Sequence, residues 1–528
     1  MANNTLNAPS SGSSGGSLPF GDPTTVLFSA LAGLFLIIFH QWSRTPKIPT
    51  INAYPGDWML KKAHRNFEQN ARALIREGTE KFKGPFRIIT ALSSTILVPT
   101  EWAEWVKNCN DLDHLEWTYH EFFAGYPGWE GITAAVCDPN KLLIEITKSK
   151  LNQNSRKNSW SKSSPTKLIL LVECTLFREQ ITRTLHKVWS DKPEWHSIDW
   201  HTDSLTFISQ MSAAVFVGPE LCADPEWQDI TITYAVNMFL ATRALRRYPR
   251  FTRTIANWFL PESTKCREQV RRGRRMIQDV MDKRAKERRD ALAQGREPEK
   301  HEDTLAWLEE QASKGKVYDP VSIQLGFAMA GLHTTTQLLK QAVLDICGQP
   351  ELVAPLREEI EKAVAESGWT TAGLYKMQLL DSAIKETLRL KPGLMANLER
   401  RSLKDITLPD GTKIPRGTNV SVDSSRMWDP AVYGDDAGRF DGFRFLRLRN
   451  EGAPATSMVS SSPEQFTFGM GKSICPGRFL VHNEVKVALA TILLEYDVKL
   501  ADGYTPKFVE FGFEIVVDPA PKVEVRRR

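Results

Sequence analysis

The sequence predicts a mainly α fold: one large helical domain with small peripheral β-sheets, preceded by a transmembrane helix. Helical periodicity runs through most of the chain up to about Lys391. Strand patterns are short and confined to FRIITALSSTILVPT, DITLPDGTKIPRGTNVSVD and the C-terminal FEIVVD and KVEVRRR. No internal repeat is visible in the 528 residues, which excludes a solenoid or propeller.

A hydrophobic fraction of 41% suits a globular enzyme-sized protein, and a net charge of +5 is too mild and too dispersed for a nucleic-acid partner. Seven cysteines, scattered without a C-x-x-C pair, give neither a disulfide framework nor a zinc cage.

Residues 1–22 hold one charged side chain and are rich in Ser, Gly and Asn, a composition that predicts a flexible tail. Residues 23–43 include TTVLFSALAGLFLIIFHQW, close to the ~20 apolar residues a helix needs to cross a bilayer. The basic Arg44 and Lys47 follow the apolar run rather than precede it, so it reads as a retained anchor with a lumenal tail and a cytosolic body. Residues 44–56 contain Pro46, Pro49 and Pro55, a stiff hinge, and 57–528 form the catalytic body.

Within the body, FRIITALSSTILVPT is rich in β-branched residues broken by small ones and predicts a hairpin. The tract from Asn152 to Lys167 is either a solvated loop or an error in the gene model. Lys265 to Asp303 carries mixed charges over a sparse apolar stripe, a solvent-facing helix. Gly326 to Ile346 is apolar on nearly every side and predicts a buried helix, yet it holds Gly331 and Thr334-Thr335-Thr336, all poor helix formers. Threonine hydroxyls there can bond back to a carbonyl one turn earlier and loosen the backbone. Glu386 and Arg389 lie three apart on one helix face, ordinarily a surface pair worth ~0.2–0.5 kcal/mol. Asp410-Gly411 marks a hairpin turn.

The chemistry concentrates in FTFGMGKSICPGRF. Gly471-Lys472-Ser473 imitates the end of a phosphate loop, but Phe466 stands where that loop needs a glycine. Cys475 precedes Pro476 and Gly477, then an amphipathic helical pattern, so Pro476 is predicted in the first helical turn with the sulfur near free amides that favour a thiolate. A thiolate on a glycine-shaped turn, with Phe468 covering one face, suits a haem iron.

Phe468, Gly471, Cys475 and Gly477 in the spacing F-x-x-G-x-x-x-C-x-G resemble the haem-binding loop of the cytochrome P450 superfamily. Ala330, Gly331, Thr334 and Thr335 resemble its oxygen-binding helix, with His333 where the family usually has an acid. Glu386, Arg389 and Arg444 of FDGFRF resemble its structural Glu-x-x-Arg and meander triad. Ser473 departs from the pattern, since the family has Arg or His there for a haem propionate, and the usual Trp-and-Arg propionate helix is not found. His-Thr-Thr is similar to the fungal membrane-bound branch that includes ent-kaurene oxidase-like, terpenoid- and meroterpenoid-oxidising enzymes.

The resemblance implies haem b held by Phe468, Gly469, Gly471, Ser473 and Gly477, with Cys475 as metal ligand and Arg400 or Lys148 toward a propionate. It implies Thr334 as the catalytic hydroxyl, with His333 as a proton relay or a packing residue, and substrate against Ala330, Leu394, Met395 and Asn397. The activity implied is oxygen insertion from O2 into a C–H bond of a lipophilic molecule in secondary-metabolite biosynthesis, at the endoplasmic reticulum membrane. NADPH would serve indirectly through a reductase docking near Lys472 and Arg478, with cytochrome b5 as a further donor. A haem-thiolate isomerase or dehydratase, and a non-catalytic tethered haem protein, are the alternatives.

Overall fold

The structure, a computed structural model, describes residues 48–91, 93–151 and 165–528, with the isolated positions 29, 32 and 33. The tail, most of the anchor 23–43 and residues 152–164 of the polar tract lie outside the described residues. Among the described residues no helix is long and apolar enough to cross a membrane.

Helix α1 (Lys61–Phe82) buries Ala63, Phe67, Ala71, Leu74, Ile75 and Gly78, a stripe at helical spacing. A Cβ on Gly78 would lie 2.3 Å from the Phe86 ring, so glycine there lets the first strand approach. Strands β1 (Phe86–Ile89) and β2 (Ser94–Val98) form the antiparallel hairpin the sequence predicts, with Phe86 opposite Leu97. With β3 (Leu112–Asp113), β5 (Ala396–Ser402) and β8 (Asn419–Asp423) they make a five-stranded sheet in the order β1-β2-β8-β5-β3.

The hairpin at Asp410-Gly411 is present as β6 (Ile406–Thr407) and β7 (Lys413–Ile414), with Gly411 at φ 87°. The following NVSVD leaves that hairpin: as β8 it pairs parallel with β2 and is buried throughout, a partnership with a segment 324 residues away by the Thr95↔Asn419 register. Strand β4 (His196–Ile198) joins β9 (Tyr496–Leu500) and β12 (Val523–Arg527) in a second sheet, while β10 (Phe508–Phe511) and β11 (Glu514–Val517) form a hairpin.

The helical body contains α2 (Glu130–Cys137), α3 (Pro165–Trp189), α4 (Trp200–Phe216), α5 (Pro225–Arg246) and α6 (Pro261–Ala293). Around the site stand α7 (Pro320–Cys347), α8 (Gln378–Leu390), α9 (Arg444–Asn450) and α10 (Arg478–Glu495). Helix α6 is the charged helix of the sequence, and its few buried residues, among them Val270, Ile277 and Val280, face α5 and α7.

Helix α7 is the axis of the body and packs on α2, α4, α5, α8 and α10. Its crossing with α2 is backbone to backbone: a Cβ on Gly326 would sit 2.9 Å from the Gly131 carbonyl oxygen, and one on Gly131 would sit 3.0 Å from the Leu325 carbonyl carbon. The apolar cluster around α7 includes Phe207, Phe327, Leu339, Ile384 and Leu489. Helices α8 and α10 are locked by a buried polar knot in which Asp381 pairs with Lys486 and Arg449, both at 3.0 Å. Burial opposes ionisation of Asp381, yet Lys486 and His482 hold its carboxyl well below the usual range.

Candidate active site

The loop before α10 turns twice through the left-handed region, at Gly469 (φ 72°) and Gly471 (φ 65°). A Cβ at Gly471 would lie 2.7 Å from Lys107 Cγ, so that glycine also lets the short helix Ala103–Asn108 close on the loop. The Gly469 amide donates to the Phe466 carbonyl and the Cys475 amide to the Phe468 carbonyl, each at 2.8 Å. Asn397 spans the gap from β5, its Nδ2 3.4 Å from the carbonyls of Phe466 and Thr467. These bonds present Cys475 at the end of a rigid turn.

One expectation for this loop is corrected. Helix α10 begins at Arg478 with Gly477 as its N-cap, so Pro476 precedes the first turn instead of lying in it. Burial pushes the Cys475 thiol up, although the amides of Gly477 and Arg478 and the Arg478 guanidinium pull against it. The helix start thus favours the thiolate as expected, burial opposes it, and a metal ion at the sulfur would favour it further.

On α7 the flanks are buried while Ala330 and Thr334, one turn apart, are exposed, with Gly331 between them facing open space. The Thr334 hydroxyl donates to the Ala330 carbonyl at 2.9 Å, the back-bond its residue type suggests. His333 Nε2 donates to the Ile232 carbonyl at 2.9 Å and ties α7 to α5; burial holds its pKa down, so the ring is neutral and Nδ1 alone remains for proton exchange.

Glu386, Arg389 and Arg444 meet in the interior. Arg389 makes a bidentate pair with Glu386, both bonds 2.8 Å, and Arg444 Nε reaches the same carboxylate at 3.0 Å. Arg389 also donates to the Met427 carbonyl and lies over the Tyr433 ring, 4.5 Å from its centroid, contacts that bind the meander and could not be read locally.

Other expected residues take different roles. Met395 is packed in the core between α1 and the five-stranded sheet, Asn397 bridges to the cysteine loop, and Leu394 is half-buried beside Glu514. Lys148 is exposed with no ion pair among the described residues, Lys472 is exposed, and Arg478 donates to the Cys475 carbonyl at 2.8 Å. Lys107 was not legible in the sequence because only the folded chain brings it to Gly471.

The cytochrome P450 family model matches residues 151–525, which include α7, the Glu386 triad and the Cys475 loop. The chain belongs to the cytochrome P450 family.

Cytochrome P450 monooxygenase adrA of Penicillium rubens is 35% identical over 505 residues, 94% of each chain. Cytochrome P450 monooxygenase hepE of Aspergillus oryzae is 36% identical over 508 residues, covering 94% of this chain and 89% of its own. Among solved structures, the retinoic acid-bound cyanobacterial CYP120A1 superposes with a TM-score of 0.63 at 17% identity, covering 92% of this chain and all of that one, a likeness of fold. As a P450 monooxygenase the protein is an oxidoreductase with a haem-thiolate cofactor, and its relatives are fungal.

The residues of this P450 fit that group. Arg400 is 3% exposed, yet it makes one hydrogen bond, to the Glu399 carbonyl at 2.8 Å, and no ion pair among the described residues. Glu399 and Asp113 act on it only through space, and a buried guanidinium with no direct ion pair is costly, so a haem carboxylate would fit there. Cys475 is a soft ligand on a rigid turn, and the Ala330–Thr334 face is open, with nothing within 4 Å of a Cβ at Gly331.

Proposed function

We propose that the protein inserts an oxygen atom from O2 into a C–H bond of a lipophilic terpenoid or meroterpenoid in fungal secondary-metabolite biosynthesis. It does so anchored in the endoplasmic reticulum membrane by residues 23–43, with the body in the cytosol. A separate reductase supplies electrons from NADPH, with cytochrome b5 as a further donor. The observation that carries this reading is the exposed Ala330–Thr334 face on a helix otherwise buried, with the Thr334 hydroxyl turned to the Ala330 carbonyl.

Cys475 would hold a haem iron through its sulfur, and the haem would supply the one-electron and oxygen chemistry. This chain's residues do the rest. Thr334 holds a proton at Oγ, and its back-bond to Ala330 can be exchanged for one to a ligand or water without moving the helix. His333 orients from behind through Ile232 and can exchange a proton at Nδ1. Apolar Ala330 and Leu394 suit a hydrocarbon surface, and the Glu386 triad keeps the loop-bearing half rigid. The monooxygenase relatives and the apolar anchor segment support a lipophilic substrate.

The test is to express the chain with a fungal reductase, record the carbon monoxide spectrum of reduced microsomes, and feed candidate terpenes with NADPH under 18O2. A far-red Soret band absent in Cys475→Ala, with one labelled oxygen per product, is the expected result. Turnover without NADPH, or a product free of label, would replace oxygen insertion with isomerisation or dehydration.

A further inference from the structure

His114 and Arg400 converge on one atom. Strand β3 pairs with the end of β5, Leu112 opposite Ser402 and Asp113 opposite Arg401, which lays the following short helix His114–Glu121 against β5. His114 Nδ1–H then donates to the Glu399 carbonyl at 3.0 Å, the same oxygen that accepts from Arg400 Nη1 at 2.8 Å. Sharing an acceptor sets the imidazole and the guanidinium side by side. The ring is held in place by Trp117, stacked on it with centroids 5.6 Å apart.

The strand that carries Arg400 borders the cysteine loop. Asn397, three residues before Arg400, bridges to the carbonyls of Phe466 and Thr467, and Leu398 Cδ2 lies 4.0 Å from the Cβ position of Gly469. The remaining charged neighbours, Asp113 and Glu399, act on the pair through space without an ion pair to Arg400. Asp113 spends a carboxylate oxygen on the Glu116 amide as helix cap at 2.8 Å, and burial pushes the Glu399 carboxyl up to about 7. Neither makes an ion pair with Arg400, and His114 Nε2 and the other Arg400 donors bond nothing among the described residues. Two adjacent donors, one a fixed cation and one able to become a cation, on and against the strand that touches the cysteine loop, fit a carboxylate that accepts from each.

We propose that His114, as an imidazolium, joins Arg400 in holding one carboxylate of the haem, and so is a positioning residue for the cofactor. It fills the place of the Trp-and-Arg helix the sequence lacks, and it rests on the haem-thiolate reading. Burial and the Arg400 charge hold the His114 pKa down in the protein alone, and a carboxylate against Nε2 would reverse that balance.

The test uses the purified full-length holoprotein and two readouts that do not depend on turnover: the rate of haem loss to excess apomyoglobin, and the haem midpoint potential. His114→Asn keeps an N–H donor for the Glu399 carbonyl but carries no charge, and His114→Arg restores the charge. Expected are haem loss about tenfold faster and a lower potential in His114→Asn and in His114→Ala, the weight of one charge-assisted hydrogen bond, with His114→Arg near wild type. If His114→Asn behaves as wild type, the residue only braces β5 and the proposal falls. It falls equally if His114→Arg loses haem as fast as His114→Ala. Wild-type protein that folds without haem would instead overturn the haem-thiolate reading itself.

Discussion

Arg389 grips both carboxylate oxygens of Glu386 at 2.8 Å, and neither side chain is exposed to solvent. On a helix surface this three-residue spacing is nearly worthless. In the interior, with Arg444 on the same carboxylate, it is a junction of α8, α9 and the segment around Met427. Removing one partner leaves a buried charge uncompensated, so Arg389→Ala is expected to destabilise the protein by about 3–5 kcal/mol. Urea unfolding followed by circular dichroism checks this, and a loss under 1 kcal/mol would contradict the buried-triad account.

Two glycines of α7, five residues apart, are expected to respond oppositely to alanine. Gly326→Ala drives a methyl to 2.9 Å from the Gly131 carbonyl and should cost about 1–3 kcal/mol. Gly331→Ala meets nothing within 4 Å and should gain about 1 kcal/mol from helix propensity. Melting temperatures of the two variants decide it.

Thr334→Ala removes the back-bond to Ala330 but no packing contact, so the fold should survive unchanged. Product formed per NADPH is expected to fall by about a hundredfold, with NADPH still consumed, because the proton-holding hydroxyl is gone. Equal losses in NADPH consumption and product would assign Thr334 to binding.

Glu484 on α10 is fully buried with one hydrogen-bond partner among the described residues, the Ser212 hydroxyl at 2.6 Å, and burial raises its pKa to about 8. Its folded pKa lies above its unfolded one, so between pH 4.5 and 8 the native state holds a proton the unfolded chain has released, and stability falls as pH rises through that window. Glu484→Gln stays neutral and keeps the bond to Ser212. It is expected to be more stable than wild type by a few kcal/mol (order of magnitude) at pH 8, a gain that vanishes toward pH 4.5. Chemical denaturation at both pH values measures the difference.

Local sequence specifies the helical class, the hairpins at Phe86–Val98 and Asp410-Gly411, the buried α7, and the Cys475 loop with its glycines. These depend on periodicity, turn chemistry and spacing, which are properties of neighbouring residues. Tertiary structure decided the rest. It moved β8 into the sheet of β2, brought Arg444 across 58 residues to Glu386, and seated Lys107 against Gly471. It turned His333 to Ile232, committed Met395 and Asn397 to packing and bracing, and set His114 beside Arg400. It also set burial against the helix-end amides at the Cys475 sulfur, because burial is set by everything the fold stacks around an atom, whereas those amides are set by the next residues.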